Sequence, residues 1–304
     1  MKTSSGYWAG VVMVITAAAC YGIMSPVLKL AYEHDYTFQQ ITVHQVGIGA
    51  ALLWILLLLR PSSWSKLAFS LKHWAALAFT GIFGLSMTTI LYNQTLERLD
   101  ASFSIVLLFQ FMWITILLES LRNRKWPTIW QWAAIVMAMA GTVLAAGLLQ
   151  NKLTDMDWVG VGCGLGSALS YSLFLFLAGG VAPGYDPVFK SALMMSCGFI
   201  VILVLYGSKA FEGGVDQQWG LLGWGLALGL LGQVMPTVFF NAGIPRVGSG
   251  LASMLGATEL PVAVVSAWLI LGEPITLIGT AGILLILGGI VVAEYGARLR
   301  RQAA

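Results

Sequence analysis

The stretch Gly81–Leu99, GIFGLSMTTILYNQTLERL, aligns without a gap onto Gly229–Val247, GLLGQVMPTVFFNAGIPRV, when the chain is shifted by 148 positions. The shift matches Gly81 to Gly229, Gly84 to Gly232, Met87 to Met235, Thr89 to Thr237, Asn93 to Asn241, Arg98 to Arg246 and, further on, Gly141 to Gly289. A shift of 150 pairs Trp8, Gly10 and Tyr21 with Trp158, Gly160 and Tyr171. Self-similarity at one fixed spacing is the mark of an internal duplication.

Composition says what is duplicated. The 304 residues are 58% hydrophobic and 10% charged, with mean hydropathy +0.84, whereas soluble domains carry about a quarter charged residues. Apolar segments of roughly 20 residues, enough to cross about 30 Å of hydrocarbon, recur along the chain. Hydropathy and breakers put helices near 8–30, 39–59, 73–95, 101–121, 128–149, 157–180, 188–207, 219–242, 247–271 and 276–297. The sequence therefore predicts an all-α polytopic membrane protein with ten transmembrane helices. The first span is too long for a cleaved signal and is expected to stay in the fold. Cys20, Cys163 and Cys197 fall inside spans and read as free, buried thiols.

Two copies of five helices follow, residues 1–150 and 151–304. Because five is odd, the second copy enters the membrane from the opposite side, giving two inverted repeats. That architecture belongs to transporters, in which the substrate site lies near the midplane between the halves and access alternates by one set of helices moving against the other.

Lys and Arg concentrate in cytoplasmic loops. One side of the ten spans holds Lys2, Arg60, Lys66, Lys72, Arg122, Arg124, Lys125, Lys190, Arg246, Arg298, Arg300 and Arg301, and the other only Lys29, Arg98, Lys152 and Lys209. Twelve against four makes both termini cytoplasmic, in a multi-pass protein of the cell membrane. The formal charge of +3 is a topology signal and gives no reason to invoke nucleic acid.

The block ELPVAVVSAWLILGEPITLIGTAGILLILGGIVV, Glu259 to Val292, resembles the closing signature of the EamA family in the drug/metabolite transporter superfamily. FQFMWITILLESL, Phe109 to Leu121, resembles the same helix of the first half. The resemblance covers essentially the whole chain. It implies export of amino acids, other metabolites or toxic compounds, without choosing among them. Glu259-Leu260-Pro261 departs from the commoner Glu-Pro pair, so the local bend is expected to differ.

Glu259 lies about 18 Å along the helix from Val247, near the midplane of a core about 30 Å thick. A charged side chain there costs at least about 2.5–3.5 kcal/mol. It either lines a cavity, binding an amine or taking up a proton, or holds the halves together as a hydrogen-bonding group. Gln110 corresponds to position 258 and shares a helix face with Trp113; the pair reads equally as a substrate contact or as interhelical glue. Tyr21 and Tyr171 sit deep in the first helix of each half, where their hydroxyls need partners; they line a cavity or tie neighbouring helices. Asn93 and Asn241 read first as helix terminators before the turns to Arg98 and Arg246, and second as gate residues.

Other features have simpler readings. Glu119 with Arg122 and Arg124, and Glu294 with Arg298, read as solvated helix ends, and Lys29 as a snorkelling lysine. Glycines 160, 162, 164, 166, 225 and 229 allow close helix contact. Pro26, Pro236 and Pro261 weaken helices where they must flex. Three histidines, at 34, 44 and 73, lack metal-ligand spacing, so no metal, cofactor or enzyme is expected. With no GxxxxGK[ST] loop, the function expected is a secondary-active exporter of small amphipathic, amino-acid-like metabolites or drugs, with protons as a second partner. The alternative is a transport-inactive scaffold or sensor. The candidate site is Glu259, Gln110, Trp113, Tyr21, Tyr171 and Asn93.

Overall fold

Lipid offers no partner to an unbonded backbone group, so each crossing must satisfy its own hydrogen bonds as a helix. The computed structural model describes residues 4–59, 70–99, 101–124, 126–145, 157–210, 212, 214–272 and 276–303. These form ten helices. In the first half they are α1 (Ser4–Glu33), α2 (Phe38–Leu58), α3 (Leu71–Arg98), α4 (Ala101–Leu108 followed by Phe111–Asn123) and α5 (Ile129–Ala145). In the second half they are α6 (Trp158–Ala178), α7 (Pro187–Ala210), α8 (Asp216–Val247), α9 (Ser249–Gly256 followed by Glu259–Leu271) and α10 (Leu277–Ala303). Eight are long and apolar enough to cross a membrane, and α5 and α10 carry shorter apolar stretches. Lys2, Arg60, Lys66, Lys125, Lys152, the 150/151 boundary and the side chains of Glu294, Arg298, Arg300 and Arg301 lie outside the described residues.

Polar residues at the turns fix where helices start. Thr37 caps α2 in a reciprocal box with Gln40, satisfying two orphan N–H groups at once. Asp157 accepts from the N–H groups of Val159 and Gly160 at the start of α6, and Asp186 does the same for Val188 and Phe189 in α7. Asp157 also pairs with Arg98 at 3.0 Å. The Gly160 N–H first, then the Arg98 guanidinium, hold its carboxyl below the usual carboxylate range. Gly272 closes α9 at φ 70°, a left-handed cap that glycine adopts without steric cost.

The halves interlock. Helix α1 packs on α8 and α9 of the other half, and its mate α6 packs on α3 and α4; α2 packs on α7 and α8, α7 on α3, and α5 on α10. Glycines let the crossings close. A methyl on Gly81 would collide with the Met194 carbonyl, and one on Gly229 would press on the Gln45 carbonyl. These are two copies of one crossing. Similarly, Gly84 abuts Phe174 while Gly232 abuts Met24, and Gly10 abuts Arg246 while Gly160 abuts Arg98. Gly162 departs from the reading of its neighbours, since nothing lies within contact distance of its missing side chain.

The outer surface carries exposed Val12, Leu58, Val204, Leu269 and Leu277, a lipid-facing belt, with the mates Trp8 and Trp158 exposed at the helix ends where indoles favour the membrane interface. Cys20 is buried, but Cys163 and Cys197 are partly exposed, a correction to the expectation that all three thiols are buried.

Candidate functional site

Both halves interrupt the same two helices at the same places. Helix α9 breaks at Ala257–Thr258 and α4 at Phe109–Gln110, 148 residues earlier. In α9 a cause is visible: Pro261 has no N–H for the Ala257 carbonyl and its ring crowds that group, so it is tolerated only in the first turn of a new helix. Trp113 stands at the mate of Pro261, so the break in α4 has another origin; it belongs to the repeat. Helices α3 and α8 each contain a π-turn, over Thr80–Ser86 and Leu230–Val234. Such bulges mark functional sites in many helices. Glu259 is consequently not mid-helix but in the first turn of the second piece of α9, where the helix dipole favours a carboxylate.

Between these interruptions lies a small cavity of about 30 Å³. Tyr21 and Met24 of α1, Gln45 of α2 and Leu108 of α4 line it. Helix α3 contributes Leu85 from its π-turn and Thr88, Thr89, Tyr92 and Asn93 from the α-helical turns that follow. The second half adds Tyr171, Gly232, Gln233 and Glu259. Gln233 Nε2 donates to Thr89 Oγ1 at 3.2 Å, joining the two π-turned helices across the halves.

Glu259 is 1% exposed and its Oε2 has no hydrogen-bond partner. Asn93 is fully buried; its amide nitrogen donates to Thr42 Oγ1 at 2.9 Å and to Gln45 Oε1 at 3.1 Å, while its Oδ1 is unpartnered. Asn241, its mate, donates to Ser191 Oγ at 3.0 Å, and its Oδ1 too is unpartnered. The reading of these asparagines as helix terminators is corrected. Helices α3 and α8 run on to Arg98 and Val247, and each asparagine ties its helix sideways to α2 or α7 within the same half.

The repeat is symmetric in backbone but not in side chains. The cavity residues Met24, Tyr92 and Glu259 have Phe174, Phe240 and Phe111 as mates, and these fill the corresponding space with rings. Phe111 meets Tyr171 at 4.6 Å, and Phe240 meets Phe174 at 6.0 Å. One face of the centre holds the small cavity with Glu259 in its lining, and the other is packed with rings.

The ends differ as well. Toward Arg98, α1 is tied to α3 by Ser25 Oγ and Tyr92 Oη at 3.1 Å, by Tyr32 Oη donating to the Asn93 carbonyl at 3.0 Å, and by Lys29 Nζ donating to the Leu96 and Leu99 carbonyls. Lys29 thus caps α3 instead of simply snorkelling. Toward the opposite end, Glu119 accepts from Gly250 and Ser249 at the start of α9, and Arg122 stacks over Phe176 at 5.5 Å. Glu119 is a clamp between α4 and α9, not a solvated end.

Gln110 and Trp113 do not line the cavity. Trp113 Nε1 donates to Gln110 Oε1 at 2.8 Å, Gln110 Nε2 donates to the Val106 carbonyl at 3.1 Å, and both face a separate crevice against α5 with Ile135 and Met139. The break at Gln110 turns the pair away from the centre. Tyr21, Tyr171, Asn93 and Glu259 come together. Gln45, Tyr92, Thr88, Thr89 and Gln233 were not named as site residues from sequence, although Thr89 stood out as a repeat identity with Thr237; the repeated Gly-x-x-Gly at 81–84 and 229–232 was the available signal for the last three.

Residues 8–147 and 158–295 each match the model of the EamA-like transporter family. The chain is 22% identical over 297 residues to the uncharacterized transporter YcbK of Bacillus subtilis (strain 168), spanning 96% of this chain and 94% of that one. It is 24% identical over 212 residues to the uncharacterized transporter sll1319 of Synechocystis sp. (strain ATCC 27184 / PCC 6803 / Kazusa), spanning 68% and 62%. A solved crystal structure shares the fold, with a TM-score of 0.74 over 95% of this chain and 97% of its own, at 17% identity. Two matched halves, ten helices and a buried central cavity lead to one conclusion: this protein belongs to the EamA-like transporter family.

Proposed function

We propose that the chain is a secondary-active exporter of small amphipathic solutes, working by alternating access around the Glu259 cavity, with both termini in the cytoplasm and protons as a coupled partner. The observation that carries the reading is Glu259, buried in that cavity with an unpartnered oxygen. An isolated buried charge is expensive, and a group that a proton or a solute can neutralise reversibly gives that cost a use. The titratable groups facing it from neighbouring helices are the phenols Tyr21, Tyr92 and Tyr171. Tyr21, Tyr171 and Asn93 belong to the same site in this reading, and Gln110 and Trp113 stabilise α4.

Alternation has a physical basis in the asymmetry of the mates. Inverted repeats reach their two states by exchanging arrangements between the halves. Here the Phe111, Phe174 and Phe240 side is closed by rings, and the Tyr92 and Asn93 side by a few hydrogen bonds. In the reverse state the aromatic side parts and the polar side closes. The units of exchange are residues 1–150 and 151–304.

The test is transport in proteoliposomes with imposed proton gradients, using a panel of radiolabelled amino acids, aromatic amines and cationic drugs. Flux of at least one solute above that of protein-free vesicles, rising when a proton gradient opposes it, supports a proton-coupled exporter. Absence of flux for every solute, from protein that is folded and inserted, favours a scaffold or sensor.

A further inference from the structure

The cavity's hydrogen-bonding capacity is one-sided. Its side-chain amides and threonine hydroxyls are engaged as donors. Asn93 donates to Thr42 and Gln45, Gln45 to Met24 Sδ, Gln233 to Thr89, and Thr88 and Thr89 to the carbonyls of Gly84 and Leu85. The free atoms are chiefly acceptors: Glu259 Oε2 and Asn93 Oδ1 are buried and unpartnered, as is Tyr171 Oη, which can also donate. Among the described residues that line the cavity there is no Lys, Arg or His. Two cations of that end are engaged elsewhere, Lys29 on the Leu96 and Leu99 carbonyls and Arg98 on Asp157.

We propose that the site takes a small organic amine in its cationic form, with an uncharged apolar remainder, and rejects the α-amino acid that carries the same side chain. The proposal rests on the transport reading of this cavity and narrows its substrate. An ammonium offers up to three donors to free acceptors, and the aromatic rings of Tyr21, Tyr92 and Tyr171 in the lining are groups that attract a cation. A carboxylate on the solute finds neither a cation nor a free amide donor, and sits desolvated beside Glu259, a charge of its own sign.

Binding to the purified full chain in detergent micelles tests the assignment with three probes of matched shape: phenethylamine, phenylalanine and 3-phenylpropionate. Thermal stabilisation as a function of probe concentration gives each half-saturation point. Phenethylamine is expected to half-saturate at a concentration at least about tenfold below phenylalanine, a difference of about 1.4 kcal/mol, with 3-phenylpropionate the weakest. In Glu259→Gln the preference for the amine is lost. The ranking in the wild-type chain requires no variant, so a poorly folding Glu259→Gln leaves the test intact. Phenylalanine binding as tightly as phenethylamine, or no stabilisation by the amine, overturns the assignment while flux of other solutes can still uphold the transport reading. The expected ranking without flux of any probe overturns transport and leaves the amine site standing.

Discussion

Tyr21 and Tyr171, equivalent residues of the two halves, meet edge to face with ring centroids 5.7 Å apart and planes at 88°. Repeat mates that touch one another lie on the axis relating the repeats, so the pseudo-two-fold axis passes between these rings. The two are not equivalent in surroundings. Tyr171 also packs on Phe111, Phe174 and Phe240, and its hydroxyl is buried without a partner. Tyr171→Phe removes that unsatisfied group, and a melt in detergent is expected to find the variant as stable as wild type or more so, by up to about 1 kcal/mol. A loss of more than that would reveal a bond to the hydroxyl that the static packing does not contain.

The glycine crossings give a graded series. Gly81→Ala forces a methyl against the Met194 backbone, and overpacking of this kind costs about 1–3 kcal/mol. Gly162→Ala meets open space and, as a helix-interior replacement of glycine, is neutral or stabilising by roughly 0.5–1 kcal/mol. Thermal unfolding of the two purified variants decides it. Equal effects would contradict the close α3–α7 crossing.

The asparagine mates separate structure from transport. Both Asn93→Leu and Asn241→Leu remove an interhelical bond and are expected to lose about 0.6–2 kcal/mol of stability. Only Asn93 lines the cavity, so flux is expected to fall strongly in Asn93→Leu and to persist in Asn241→Leu. Equal loss in both would mean that the bond to α2 or α7, and not the cavity, sets the rate.

Gln110 and Trp113 provide the control. Their side chains bond each other away from the cavity, so Gln110→Leu should leave half-saturation for a transported solute unchanged and cost no more than about 1–2 kcal/mol of stability. A selective change in half-saturation would return the pair to the solute path.

Asp157 sets an acid limit. Its carboxyl is held below the usual range by the Gly160 N–H and by Arg98. With a folded pKa below the unfolded value, its contribution to stability is complete above the unfolded pKa of about 3.9 and is lost as pH falls through the folded pKa. Asp157→Asn keeps a capping oxygen but does not titrate. The variant should melt below wild type at neutral pH, and the gap should close as the pH drops below about 4. A gap independent of pH would assign the effect to geometry alone.

Much of the fold was legible because lipid imposes length and apolarity on each crossing, and because the duplication survived as identities such as Asn93 with Asn241. Two classes of feature were not. The π-turns and the helix breaks at Phe109–Gln110 and Ala257–Thr258 are backbone departures that hydropathy does not register; the second break makes Glu259 the start of a helix, and Gln110 at the first faces α5. The second class is interhelical partners. Nothing local in the sequence joins Asn93 to Thr42, Lys29 to the end of α3, or Glu119 to Gly250, so helix-end readings were given to residues that act sideways. Glu259 was legible for the opposite reason, since a buried carboxylate in an apolar run stands out by its cost alone.

The most direct test of the account is proteoliposome flux through wild type and Glu259→Gln between about pH 5.5 and 8, a range that spans carboxyl groups perturbed by burial. The amide keeps the side chain's shape and removes its charge and its titration. The account expects a folded variant whose flux is lost or no longer responds to pH. Wild-type rate with the wild-type pH profile would contradict it, reducing Glu259 to a hydrogen-bonding strut in a cavity whose transport is driven from elsewhere.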